Sequence, residues 1–298
     1  MGTYLAVTTV DQALAAMAAG ARPVAGGTDL VVGARQGKKP LPGTVVGIHR
    51  IPGLSEITRT AAGELSLGTL VSHATILTDS RILTGYTGLA DASAIVGSHA
   101  TRANGTIGGN VMNASPAMDT GAPLLCHGAV AVLAGAAGTR RVDLAELWTG
   151  PGTTTAGADE LLVAVELPAV GAGTGSSYVR LQYRRQMEIA IVGVGAVVTV
   201  EGGRVTGARV AITALAPVIH RVSAAEAVLV GSDGGTDAVA AAADAAAAAS
   251  RPISDVRGSA DYRRAMAAVM ARRAISVALA RATGTDVTVP ASDSTYGS

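Results

Sequence analysis

At 298 residues, 49% of them hydrophobic, the chain is long enough for a well-buried core and exceeds one ordinary globular unit, so two or three packed lobes are expected. Its 23 basic and 22 acidic residues leave a formal net charge of +1, and no dense basic run appears beyond the Lys38-Lys39 pair, which excludes a nucleic-acid-binding balance. The single cysteine, Cys126, can neither close an internal disulfide nor hold an iron–sulfur cluster, and five scattered histidines without paired ligand spacing read as packing or surface residues, so no metal is expected on this chain.

Val10 to Met17 reads as a short helix with apolar residues at helical spacing, ended by Gly20 and followed by Pro23. A strand then leads into the turn Ala25-Gly26-Gly27-Thr28-Asp29-Leu30, after which Leu30 to Arg35 opens a helix and Thr44 to Ile48 is strand-like. From Glu64 the pattern changes. Leu65 to Gly68 alternates as a strand, Ser72 to Asp79 and Ala90 to Gly97 suggest helices, and a second glycine turn, Gly105-Thr106-Ile107-Gly108-Gly109-Asn110, follows. Ala129 to Leu133 and Leu161 to Pro168 are strand candidates flanking a loop from Trp148 to Gly157, and Val170 to Ser177 reads as a linker. Beyond it, Ile189 to Val200 and Arg204 to Ala214 form a hairpin, and helices are expected over Ala224 to Val230, Asp237 to Ala249 and Ala260 to Arg281. The last residues, Ala291 to Ser298, read as a frayed tail.

The division expected is 1–55 for a first lobe, 56–175 for a second, 176–290 for a C-terminal domain and 291–298 for the tail. The first twenty residues carry no Lys or Arg and place Asp11 where a signal peptide needs its apolar heart, and no run is long enough to span a membrane. A cytoplasmic protein is expected. Phe is absent, so the core must be built from Ala, Val, Leu and Ile.

Standard nucleotide signatures fail: Gly37-Lys38-Lys39-Pro40 lacks the hydroxyl of a P-loop, and no GxGxxG follows the first strand. The two glycine turns remain. Neutral backbone N–H groups can cradle a dinucleotide diphosphate, and glycine lets the main chain approach closely with positive φ. Thr28, Thr106 and Ser115 can add hydroxyl donors, and Asp119 can accept hydrogen bonds from ribose or ribityl hydroxyls. Taken singly, each Gly-Gly pair is also what any tight turn uses in a chain with 38 glycines.

The longer string from Gly97-Ser98 through Arg102, Gly105-Thr106-Ile107-Gly108-Gly109-Asn110, Ala114-Ser115-Pro116, Asp119 and Pro123-Leu124-Leu125 resembles the pattern GSxxxRxxGTIGGNxxxASPxxDxxPxLL. That pattern marks the FAD-binding (medium) subunit of the xanthine dehydrogenase and carbon monoxide dehydrogenase, or molybdenum hydroxylase, family. Pro23 to Leu30 looks like the family's AGGTDL loop. Tyr178 to Arg185 with Ile189 to Val194 looks like the start of its C-terminal domain, and Asp255 to Arg263 like its DxRGSAxYR signature.

The resemblance implies an α+β fold: a two-lobed, vanillyl-alcohol-oxidase-like (PCMH-type) FAD-binding domain followed by a C-terminal α/β domain of the CO dehydrogenase flavoprotein type. It implies FAD held by Val24, Ala25, Gly26, Gly27, Thr28, Asp29 and Leu30 on one side and by Thr101, Gly105, Thr106, Ile107, Gly108, Gly109, Asn110, Ser115 and Asp119 on the other. Leu161 and Leu162 would pack near the flavin ring, and Arg180 stands where many relatives carry a lysine that reaches the cofactor. Asn104 replaces a more usual arginine, and the lone Cys126 excludes the additional cluster some relatives carry in this subunit. Asp255, Arg257 and Tyr262 read as a structural cap and ion pair rather than catalytic groups.

By the same resemblance, a small subunit with [2Fe-2S] clusters and a large subunit with the molybdopterin cofactor would be partners, in a dimer of heterotrimers, with NAD as one acceptor. The flavin carries the chemistry, so this chain needs no catalytic acid, base or nucleophile of its own. A free-standing flavin oxidoreductase and a scaffold subunit that has lost FAD are the alternatives.

Overall fold

The computed structural model describes residues 2–37 and 40–295; the Lys38-Lys39 pair and the end of the expected tail lie outside the described residues. The first lobe runs β1 (Thr3–Ala6), α1 (Val10–Ala18), β2 (Arg22–Val24), α2 (Thr28–Arg35) and β3 (Thr44–Gly47). Its strands form a parallel sheet in the order β1-β3-β2, closed by helical crossovers. Thr9 caps α1 by accepting from the Gln12 N–H at 3.2 Å, and α1 buries Ala13 and Met17 against Val46 and Ile48.

The second lobe carries β4 (Ile57–Arg59), β5 (Leu65–Gly68), six short helices, α3 (His73–Ile76), α4 (Ser80–Gly85), α5 (Thr87–Ala94), α6 (His99–Asn104), α7 (Ile107–Asn113) and α8 (Gly121–His127), then β6 (Val130–Gly135) and β7 (Gly138–Asp143). It ends with α9 (Leu144–Leu147), the pair β8 (Trp148–Gly150) and β9 (Thr153–Thr154), and β10 (Leu161–Leu167). An antiparallel sheet, β4-β5-β10-β6-β7, backs these helices. Leu161 of β10 packs into the first lobe's core while Leu162 packs into the second, so this strand ties the lobes together.

The C-terminal unit is a sheet β11-β12-β13-β14, of β11 (Thr174–Leu181), β12 (Val192–Glu201), β13 (Arg204–Thr213) and β14 (His220–Arg221). α10 (Ser223–Leu229), α11 (Thr236–Ala249), α12 (Ala260–Ala282) and α13 (Ala291–Thr295) complete it. Ala242, Ala243 and Ala246 of α11 meet Ala267, Ala271 and Ala274 of α12 in one buried cluster, so the alanine run is a helix interface as well as a helix former.

Three expectations from the sequence are corrected. The linker over Val170 to Ser177 is half strand: β11 begins at Thr174, and Ser176 and Ser177 are buried because α5 and α12 cover them, with Ser177 donating to the Ala274 carbonyl at 2.6 Å. The loop from Trp148 holds the β8–β9 pair, anchored by the Trp148 indole donating to the Val111 carbonyl at 3.0 Å. The tail begins as α13, with Ala291 and Ser292 buried and the Ala291 N–H donating to Asp91 at 2.8 Å. Small and hydroxyl residues read as loop in sequence; here they are what lets elements pack closely.

Candidate functional site

Between the first two lobes lies a cleft of about 300 Å³. Val24, Ala25, Gly26, Gly27, Thr28, Asp29 and Leu30 line one side, Thr101, Gly105, Thr106, Gly108, Gly109 and Asn110 another, and Leu161 and Leu162 a third. The glycine segments touch directly. A Cβ on Gly26 would overlap the Asn104 carbonyl, and a Cβ on Gly108 would overlap the Thr69 hydroxyl. Close approach, rather than positive φ, requires glycine at these two positions.

The two segments are built differently. Gly27, at φ +70°, is the N-cap of α2, no side chain caps that helix at its N-cap, and Thr28, Asp29 and Leu30 of its first turn line the cleft. The second segment is not a turn: Thr106 caps α7, accepting from the Gly109 N–H at 3.0 Å, and Gly108 and Gly109 lie on the helix. At α7 the first N–H groups are taken within the fold, Ile107 donating to the Val71 carbonyl at 2.9 Å and Gly108 to the Thr69 carbonyl at 3.0 Å, so the helix start that favours an anion here without a lysine is that of α2.

The electrostatics agree. His73 lines the cleft, buried, with its pKa lowered to about 4 by burial and then by the Arg102 charge, so it is neutral at physiological pH. Glu160 lines it too, but Arg140 donates to both its carboxylate oxygens, at 2.6 and 2.7 Å, and holds its pKa down at about 2. Arg22 adds a cation at the rim.

The chain matches the model of the "FAD binding domain in molybdopterin dehydrogenase" over residues 1–170. It belongs to that family. Residues 177–278 match the "CO dehydrogenase flavoprotein C-terminal domain". The carbon monoxide dehydrogenase medium chain of Hydrogenophaga pseudoflava is 32% identical over 80% of this chain and 83% of its own. The 6-hydroxypseudooxynicotine dehydrogenase complex subunit alpha of Paenarthrobacter nicotinovorans is 31% identical over 94% of this chain and 95% of its own. Among solved structures, carbon monoxide dehydrogenase from Hydrogenophaga pseudoflava superposes with a TM-score of 0.90 at 32% identity, covering 94% of this chain and 98% of that one. Quinoline 2-oxidoreductase from Pseudomonas putida 86 superposes at 0.87 and 29%, covering 95% and 98%. The chain is thus an oxidoreductase flavoprotein subunit with the expected two-lobed fold and C-terminal domain.

Four expected cofactor residues lie away from the cleft: Ile107, Ser115, Asp119 and Arg180. Ile107 points into the second lobe's core, fully buried. The Ser115 hydroxyl accepts from the Ala117 N–H at 3.3 Å, closing a local turn. Asp119 accepts from the Tyr178 hydroxyl at 2.8 Å and from Arg180 Nη1 at 2.7 Å. Arg180 is buried and also donates to the Ile95 carbonyl at 3.1 Å and to Gln182. Burial pushes the Asp119 carboxyl up while Arg180 and Tyr178 pull it back. This pair joins the second lobe to the C-terminal sheet, so in this structure its polar groups serve the joint and not the cleft.

Sequence reasoning missed Thr69, His73, Val96 and Glu160 among the cleft residues. Thr69 follows β5 and His73 opens α3 behind the cap Ser72, which accepts from the Thr75 N–H at 3.0 Å. A histidine just inside a capped helix was the available signal, but nothing in its spacing tied it to the glycine segments.

Proposed function

We propose that this chain holds FAD in the cleft and relays electrons within a multisubunit molybdenum hydroxylase. Substrate would be oxidised on a large subunit with the molybdopterin cofactor, and electrons would arrive through [2Fe-2S] clusters of a small subunit and leave to NAD or another acceptor. The observation that carries the reading is the cleft itself: two glycine segments from separate lobes, in contact at Gly26 and Asn104, lining one space beside the start of α2, which no side chain caps.

The residues present fit the cofactor. Gly26, Gly27, Thr28 and Asp29 with Thr106, Gly108 and Gly109 would hold the diphosphate, and Leu161 and Leu162 would wall the flavin ring. When bound, FAD supplies the redox chemistry, taking up and releasing electrons. The chain's own groups bind, orient and exclude water: neutral His73 offers a hydrogen-bonding edge without charge, and the Arg140–Glu160 pair keeps a carboxylate at the cleft from repelling phosphate.

Relatives are named for carbon monoxide, nicotine, glyceraldehyde and xanthine chemistry, at 26–32% identity. That one medium-subunit fold occurs in enzymes named for such different substrates supports the reading that substrate choice lies on the partner. We take the assembly to be a dimer of heterotrimers, and the chain to divide into lobes at 1–55 and from 56, with the C-terminal domain opening at β11, at Thr174 rather than at 176.

The test is affinity capture of the chain from its native cells, with a visible spectrum and metal analysis of the eluate. Flavin with molybdenum and iron is expected. Flavin without partners would replace the relay by a free-standing flavoenzyme, and absence of flavin would leave a scaffold.

A further inference from the structure

A second groove, of about 450 Å³, lies between the loop after β10 and the central strands β12 and β13 of the C-terminal sheet, and shares no lining residue with the cleft. Pro168, Val170, Val197 and Val230 give it apolar walls, and Arg209 and His127 bring polar groups to it.

Arg209, on β13, is half-buried, and among the described residues no carboxylate pairs with it. Its one hydrogen bond, to the Cys126 carbonyl, is long at 3.4 Å. The guanidinium rests over Gly128, where a Cβ would come within 2.5 Å of Nη1, and Gly128 sits at φ +70°. A turn that only glycine takes easily therefore leaves the space the cation occupies. His127, the last residue of α8, is buried with its ring tilted against Tyr86 at 5.0 Å, and its Nε2 has no hydrogen-bond partner among the described residues. Burial, then the Arg209 charge, lowers its pKa to about 3, so it stands beside the cation as a neutral group.

A half-buried cation with no carboxylate partner among the described residues, beside a neutral imidazole and under apolar walls, is incomplete. A planar anion fits the guanidinium fork, and an apolar tail fits the walls. We propose that this groove binds a small organic carboxylate with an apolar tail, the carboxylate on Arg209 and the tail along Val170 and Val197. This site is separate from the FAD cleft and rests on neither the relay nor the identity of the partners.

The experiment is calorimetric titration of the full chain with hexanoate, against acetate and against chloride at matched ionic strength. One saturable site is expected for hexanoate, with acetate at least about tenfold weaker. Arg209→Gln should weaken hexanoate at least about tenfold, Arg209→Lys should fall between because charge remains but the fork is lost, and Arg22→Gln, at the cleft rim, should change nothing. In the unsubstituted chain, nuclear Overhauser contacts should link the hexanoate methylenes to the methyl groups of Val170 and Val197. Absence of saturable binding, equal affinity for acetate, loss in Arg22→Gln, or no contacts to those valines would each overturn the site.

Discussion

Gly26 and Gly109 border the same cleft but should fail differently when substituted. At Gly26 any side chain meets the Asn104 backbone, so Gly26→Ala forces the two segments apart. At Gly109 the nearest atoms to an added Cβ are Thr106 Oγ1 at 3.0 Å and Ala25 Cβ at 3.8 Å, and the rest of a larger side chain would occupy the cleft. Gly109→Val is therefore expected to keep the fold and weaken FAD retention by about tenfold or more. The flavin-to-protein ratio after gel filtration, with circular dichroism as the control for folding, checks it; undiminished flavin would remove the diphosphate from α7. Asp119 makes the opposite case. Asp119→Ala would strand the buried Arg180 cation and should cost about 3–5 kcal/mol of stability, read by urea unfolding. Asp119→Ala combined with Arg180→Met should recover part of that loss, since no buried charge is then left unpaired.

At the scale of elements, one carboxylate holds four of them. Asp91 of α5 accepts from the Tyr178 N–H of β11 at 3.0 Å, from Arg281 of α12 at 2.6 and 3.0 Å, and from the Ala291 N–H of α13 at 2.8 Å. Asp91→Ala should therefore loosen the C-terminal unit from the second lobe, and hydrogen exchange at β11 and α13 should rise while α1 and β3 stay protected. Equal exchange throughout would mean the joint is held elsewhere. None of this was legible in the sequence. Asp91 lay in a segment read correctly as helix, but its partners are 87 to 200 residues away. The α1, α11 and α12 helices and the β12–β13 hairpin were legible because periodicity and caps are local signals. The cleft was legible in its glycines, since close approach leaves a mark on residue type. Thr69 and His73 were not, because their part in it follows from how β5 and α3 face α7. Asp119 shows the same limit: its type suits a sugar hydroxyl, and only the packing of β11 shows that Tyr178 and Arg180 bond to it.

For the whole molecule, two buried histidines set a slope in acid. His73 and His127 titrate near 4 and 3 in the fold against 6.5 when exposed, with burial the leading cause in both. Their folded-state pKa values are depressed, so below pH 6.5 the unfolded chain binds protons that the folded chain does not, and stability rises with pH. The contribution is fully present above about pH 6.5 and is lost as pH falls toward 4. Each histidine adds at most ~1.4 kcal/mol per pH unit, so the pair gives a slope of roughly 2.5 kcal/mol per unit near pH 5, and less at pH 6, where the unfolded histidines are only partly charged, and at pH 4, where His73 begins to protonate in the fold. Glu160, held at about 2 by Arg140, adds to the loss only below its ordinary range near 4.5, whereas Asp91 and Asp119, pushed up by burial, bind protons in the fold first and work against the slope. Urea unfolding at half-unit steps from pH 7 to 4 is the measurement. His127→Phe removes one titrating group, and the slope should drop by about half; His73→Asn should do the same, and an unchanged slope in either variant would mean that its imidazole is reached by solvent and protonates within the fold.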